Sequence, residues 1–510
     1  SGLPDGEHLT HGAVDASTST TGCLMTRPLP RIFLASALAA TAFAPFTAPT
    51  EAPISAAVDL GLDVPGPGVF ISENIEYVAT IPVDAPGVGG KFIDVEDTTY
   101  YFMTGEKGLS IYDVSDPSVP THISTTPFPH SQNEDLAVAA DGSRVVISAD
   151  GGLPAPILIN QGVHVFDTSD LTNPVKVASF AGNTHTTECA DPGCTWLYTS
   201  TGKILDATFT NGDTIEESGS WAVAGNGDTV GGRHALHRDA AGYVISDSQP
   251  RLVLDPRPHT GVDGTEYGYD NPELLAEGLR RESGDPKLQH NNIRPSALDF
   301  VSRNPSDTAD SFDEPNVPAG SRFSLGAGSL RAGELLVANS ESNINPSCNM
   351  SGALSTWDMR NFDKGRTPVQ LDVFHPASGT WADGSPALAA SGCSGHWFDV
   401  SGEYVAASWY EHGVHVFHVG LDTGALTEVG FFQTAATIAG QSQWHVADDG
   451  TMYIYAADYA RGIDILKFDP EGARPSDDER LDSWFAGAAK ADDILVQQFQ
   501  YACRLGTLQG

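Results

Sequence analysis

Gly108-Leu-Ser-Ile-Tyr-Asp-Val-Ser-Asp-Pro117 and Gly162-Val-His-Val-Phe-Asp-Thr-Ser-Asp170 are two copies of one pattern: a glycine, a short run in which apolar residues alternate, and an Asp-rich turn. Looser copies are Gly352-Ala-Leu-Ser-Thr-Trp-Asp-Met359, Gly413-Val-His-Val-Phe-His-Val419 and Gly462-Ile-Asp-Ile-Leu-Lys-Phe-Asp-Pro470. Alternation with period two is the signature of a strand with two unlike faces. The Asp and Ser side chains that follow can bond the next backbone amides, and Pro117 cannot donate to a ladder, so the chain must turn there.

Each copy is followed by a further β-rich run, such as Pro174-Val-Lys-Val-Ala-Ser-Phe180 or Pro368-Val-Gln-Leu-Asp-Val-Phe374, and preceded by a hairpin. Asp135-Leu-Ala-Val-Ala-Ala-Asp-Gly142 runs into Arg144-Val-Val-Ile-Ser148 through an Asp-Gly turn, and Trp444 to Gly450 runs into Met452-Tyr-Ile-Tyr455 through another. The unit is a four-stranded meander, one blade of a β-propeller. Units beginning near residues 90, 132, 184, 231, 288, 394 and 441 make seven blades, with the third and fourth degenerate and an insertion around 301–333 in the fifth. The last unit lacks a fourth strand, while Asn74-Ile-Glu-Tyr-Val-Ala-Thr-Ile-Pro82 is a strand without a unit. Joined, they close the ring and leave no exposed edge, which a sandwich or solenoid would not explain. The fold expected is therefore all-β, a seven-bladed propeller over 74–470 whose N-terminal strand completes the last blade.

Outside the ring, Met25 to Arg31 carries two positive charges and Ile32 to Phe43 follows without a charge. This is the order of a secretory signal peptide, and the apolar run is too short to span a bilayer. The expected organisation is an upstream segment 1–24 without structural role, a signal peptide 25–56 cleaved near Ala56, a linker 57–73, the propeller, and an acidic tail 471–510 that begins as a helix. Secretion and an extracellular location follow as expectations.

The chain carries 66 acidic against 27 Lys and Arg residues, a net charge of −39. Losing 1–56 removes four acids and two bases, so the mature chain stays at −37. Such a surface repels phosphate backbones and anionic lipid, which argues against nucleic acid or a membrane as partner and leaves cations and metals open. Among six cysteines, Cys189 with Cys194 and Cys348 with Cys393 are the expected disulfides of an exported protein, and Cys503 is left over.

The repeats resemble the LVIVD-repeat family of secreted bacterial propellers, on the strength of Leu109 to Pro117, Val163 to Asp170, Gly395-His-Trp-Phe-Asp399, Tyr459 to Leu466 and the His290-Asn-Asn-Ile-Arg-Pro295 stretch. The resemblance implies a propeller and export; it transfers no reaction and no catalytic residue.

The inner strand of each blade lines the channel, so polar residues near its start converge from distant parts of the chain. These are Asn133, Glu134 and Asp135, then His185 and Glu188, His234 and His237, His290, Asn291, Asn292 and Arg294, His396, and His445. Imidazoles with a carboxylate are the ligand set of a transition metal. The expected metal set is His185, Glu188, His290 and His396, holding one divalent transition metal or, less in keeping with the donors, calcium. Asn133, Glu134, Asp135, His237, Asn292, Arg294 and His445 are expected to line the channel or touch a ligand. His164 and His415 sit in third strands and are expected to pack between blades. No serine-hydrolase elbow, phosphate loop or His-Glu-X-X-His helix occurs. Two readings remain: a monomeric secreted binding module for a small ligand or an extracellular or cell-surface component, and a metal-dependent enzyme, oxidative or hydrolytic, built on the channel histidines.

Overall fold

The glycine that opens each repeat is demanded by the backbone. Gly108, Gly162, Gly413 and Gly462 have φ of 133°, 126°, 86° and 122°, where an L side chain is strained. A Cβ at Gly108, Gly162 or Gly413 would also run into the carbonyl oxygen of Thr126, Phe180 or Phe432 on the neighbouring outer strand. The Asp at the other end makes the turn: Asp113 Oδ1 accepts from Ser115 N–H at 2.8 Å, and Asp167 Oδ1 from Ser169 N–H at 2.9 Å.

In the computed structural model these strands are the third of their blades. The structure describes residues 69–489, with breaks of which the longer are 83–88, 129–134, 150–159, 225–233, 279–287, 296–329, 342–351 and 376–394. Seven antiparallel sheets, each with its strands in sequence order, occupy 89–127, 136–180, 187–220, 236–277, 288–374, 398–434 and 439–468. Closure is as the sequence predicts. Ile75–Ile81 pairs antiparallel with Gly462–Phe468, from Ile75 opposite Phe468 to Ile81 opposite Ile463, and becomes the outer strand of blade seven.

Two features differ from the sequence reading. Val69–Ile71, assigned there to a linker, adds a fifth strand to blade six against Leu426–Thr434, because its apolar residues and free backbone groups find an unpaired edge. The chain then steps to blade seven through a Ser72–Asn74 turn, in which Asn74 Nδ2 donates to the Val429 carbonyl at 2.8 Å. Blade four is complete, but a small hairpin of His259–Thr260 and Glu266–Tyr267 separates its third and fourth strands, which hid its period. The Cys189–Cys194 disulfide is formed, with Cα atoms 4.7 Å apart; Cys348, Cys393 and Cys503 lie outside the described residues.

One apolar cluster fills each of the seven interfaces between neighbouring blades, as Tyr101, Met103, Tyr455 and Ile463 do between one and seven. At blades five and six the cluster includes Trp484 from the helix Asp477–Ala489, so this part of the C-terminal segment packs on the ring. No helix among the described residues is long and apolar enough to cross a membrane.

Ile75 is 5% exposed and packs with Val414, Phe432 and Leu466 where the closing strand meets both blades six and seven. Ile75→Ala should lower unfolding stability by about 2–5 kcal/mol, the cost of truncating a core isoleucine. An unchanged denaturant midpoint would show that closure contributes nothing.

Candidate metal centre in the channel

Four consecutive inner strands carry a histidine near their start, three of them two residues before it, and the same local design places those three. The His234 N–H donates to the Asp247 carbonyl (3.2 Å) and the His396 N–H to the Ser408 carbonyl (2.9 Å), while the His185 N–H donates to Ser200 Oγ (3.1 Å). In each case the partner ends or follows the second strand of the same blade. His290 lies within the inner strand Leu288–Ile293 of blade five. The packing of neighbouring blades then brings the imidazoles into one contiguous group, with centroids 4.4 Å apart for His185 and His234, 3.9 Å for His234 and His290, and 4.3 Å for His290 and His396. None is more than 3% exposed.

A buried carboxylate completes the group. Glu341, at the end of the second strand of blade five (Leu335–Glu341), offers an oxygen that lies with one nitrogen each of His234 and His290 inside a 4.8 Å span. Tautomers are partly fixed by partners. His396 Nδ1–H donates to the Gly440 carbonyl, which leaves the Nε2 lone pair of the neutral ring as its donor to a cation. The Nε2 atoms of His185 and His234 are 2.9 Å apart, so one donates and the other accepts. Aromatic rings wall the group: Trp397 lies 5.1 Å from the His290 ring and Tyr410 lies 4.6 Å from that of His396.

No family model matches the chain, and no curated protein matches its sequence. Among solved structures it is similar to the β-propeller domain of Myceliophteria thermophila Cps50 (Swd1), at 12% identity and a TM-score of 0.43, over 76% of this chain and 98% of that one. A chain of the Mitotic Checkpoint Complex is similar at 12% identity and a TM-score of 0.44, over 85% and 99%.

The sequence pattern pointed to His185, Glu188, His290 and His396, and the compact group in the structure is made up differently. His234 joins the imidazoles, and Glu341 rather than Glu188 supplies the carboxylate of the compact group. Glu188 stands three residues along an extended chain from His185, about 10 Å away. Its Oε1 accepts from the Cys189 N–H at 2.8 Å, and its charge acts on Lys91. Glu341 left little sequence signal beyond its place after the apolar run Leu335-Leu-Val-Ala338, and Trp397 and Tyr410 left none.

Glu188 belongs to a second polar group in the channel. Burial works against the charge of Lys91, but Glu188 and Asp135 outweigh it and hold the ammonium above its ordinary range. Burial pushes Asp135 up to about 7, opposed by Lys91 and reinforced by Glu188. His237 is pushed down to about 3 by burial, then by Lys91 and Arg238, so it is neutral. Asp135 and His237 keep part of their surface open to the channel, yet its walls enclose them enough that their charges behave as interior ones.

The other candidates have contacts within the protein. Asn292 Nδ2 donates to Asp247 Oδ2 at 2.5 Å and to the Ile245 carbonyl at 3.2 Å, tying blade five to blade four. Arg294 pairs with Asp239 at 2.5 Å, and its guanidinium lies over Phe362. His445 stacks on Phe92 at 5.0 Å between blades seven and one. His164 meets Phe128 and His415 stacks on Trp484, both as packing residues. Asn133 and Glu134 lie outside the described residues.

The carboxyl of Asp135 has a folded-state value above its ordinary 3.8, so the folded state binds the extra proton. Its stabilising contribution is full below about pH 4 and is lost as pH rises toward 7. The stability of Asp135→Asn relative to the native chain should therefore grow from pH 4 to pH 7 and level off above. A difference that stays flat across this range in denaturant titrations would rule out interior ionisation of Asp135.

Proposed function

We propose that this protein is an exported, metal-binding β-propeller whose ion is held in the channel by His234, His290 and Glu341, with His185 and His396 within reach of the same centre. The observation that carries the reading is the meeting of two buried imidazoles and a buried carboxylate within 4.8 Å, flanked by two further imidazoles. Nitrogen-rich sets with one carboxylate suit zinc, copper or iron, and disfavour calcium, which takes oxygen. Two histidines with one carboxylate also leave coordination positions open, as a reactive centre requires. The indole N–H of Trp397 is buried with no partner among the described residues, and an acceptor bound beside the imidazoles would satisfy it.

The donors are 0–3% exposed, so the chemistry supported is that of small molecules or electrons rather than of a polymer substrate. Export and kinship with the LVIVD-repeat proteins belong to this proposal, resting on residues 25–56 and on the repeats. An interaction role is favoured by a separate feature: Val369, Leu371 and Val373 alternate along the outer strand of blade five and are 49%, 37% and 41% exposed, an apolar row that water does not favour.

Chelator-treated protein should take up one equivalent of zinc or cobalt(II). It should gain about 2.7 kcal/mol of stability at a free metal concentration 100 times Kd. His234→Ala and His290→Ala should each abolish the gain. Metal-independent melting of the native chain, with no ion retained in elemental analysis, would reject the site.

A further inference from the structure

Tyr410 is the one described residue next to the imidazoles that is held in a disfavoured conformation. It follows the second strand of blade six (Tyr404–Trp409) and is 1% exposed, and its φ is 32°, in the left-handed region that aromatic residues avoid. Such a backbone costs on the order of 1–3 kcal/mol and persists only where its surroundings enforce it. Here the Tyr410 carbonyl accepts from Ala439 N–H at 2.8 Å and from Gly413 N–H at 3.1 Å, which pins the peptide between blades six and seven. The phenol that results is aimed across the channel side of the ring. Its hydroxyl donates to Glu341 Oε1 at 2.9 Å, and its ring lies 4.6 Å from that of His396 and 6.5 Å from that of Tyr459.

We propose that Tyr410 is the positioning residue of the metal centre: its hydroxyl engages one oxygen of Glu341 and so fixes the carboxylate as a single-oxygen ligand to the ion that His234 and His290 hold. The proposal rests on the metal-binding reading above. A carboxylate with both oxygens free can rotate or chelate symmetrically; one whose oxygen accepts a phenol proton is oriented and keeps less charge for the ion. The strain at Tyr410 then has a cause, since a relaxed backbone at this position would turn the phenol away from a residue 69 positions earlier in the chain.

The test uses the full chain and cobalt(II) as the probe, because cobalt absorption reports coordination number and geometry. Tyr410→Phe keeps the ring and the backbone and removes only the donor. The apo variant should melt close to the native apo protein. Its cobalt affinity should fall about 10-fold to 100-fold, the usual effect of losing an outer partner of a ligand. Its visible absorption should weaken as the second carboxylate oxygen joins the ion. Native affinity together with a native spectrum would overturn the proposal. Should the variant fail to fold, 3-fluorotyrosine inserted at position 410 changes the acidity of the hydroxyl with almost no change of shape. A shifted cobalt spectrum then supports the role, and an unshifted one overturns it. Failure of the underlying site is recognised separately, because the native chain would then bind no cobalt, or His234→Ala would bind it as the native chain does.

Discussion

Everything in this molecule depends on the pairing of Ile75–Ile81 with Gly462–Phe468. The two segments are nearly the whole ring apart in sequence, and neither belongs to a complete sheet without the other. Because the apolar clusters lie between blades rather than within them, an open ring would expose the facing surfaces of two blades at once, not a single strand edge. Closure also creates the channel. His185, His234, His290 and His396 come from four consecutive blades and meet only because each blade packs on the next, so the candidate centre is a product of topology before it is a product of local structure.

The ring was legible because its determinants are local and recur. A positive φ at the head of the third strand forces glycine, an Asx turn at its foot forces aspartate, and the alternating residues between them report the two buried faces of a sheet. Repetition turned weak signals into a count. The fifth strand at Val69–Ile71 was not legible, since three residues show no period and an edge accepts almost any apolar strand. For the centre, the imidazoles were visible because each sits at the same point of its repeat. Glu341 lies on a second strand and Tyr410 just beyond one, positions that reach the channel only through the twist of their blades, and nothing in the spacing of residues encodes that reach. Glu188 lies outside the compact group for the complementary reason: it is near His185 in sequence, but an extended chain carries it toward Lys91.

The channel thus holds two polar groups of different character. Around Lys91, the carboxylates of Glu188, Asp135 and Asp399 oppose the positive charges of Lys91 and Arg238, so that much of the charge is compensated within the group. Among the described residues, the compact core of the imidazole group joins His234 and His290 to a single carboxylate, Glu341. In a chain with a net charge of −39 the mean field favours cations everywhere, but only donors freed of competing Lys and Arg can hold one by coordination.

The ring's own asymmetry points the same way. Blades three to six present histidine at the start of the inner strand, whereas the inner strands of blades one and seven present Gly89, Gly90 and Gly440 there. These glycines are not spare positions: a Cβ at Gly90 would overlap the Tyr101 hydroxyl, and one at Gly440 would overlap the ring of Tyr459. On that side the wall is backbone and tyrosine, and the Gly440 carbonyl reaches across to orient His396. One arc of the channel therefore supplies the donors, blade seven supplies the carbonyl that orients His396, and Tyr410 is pinned at the seam between blades six and seven. A cation held by His234, His290 and Glu341 would tie blades four and five together, so its binding energy would add to the stability of the ring that the N-terminal strand closes on the other side.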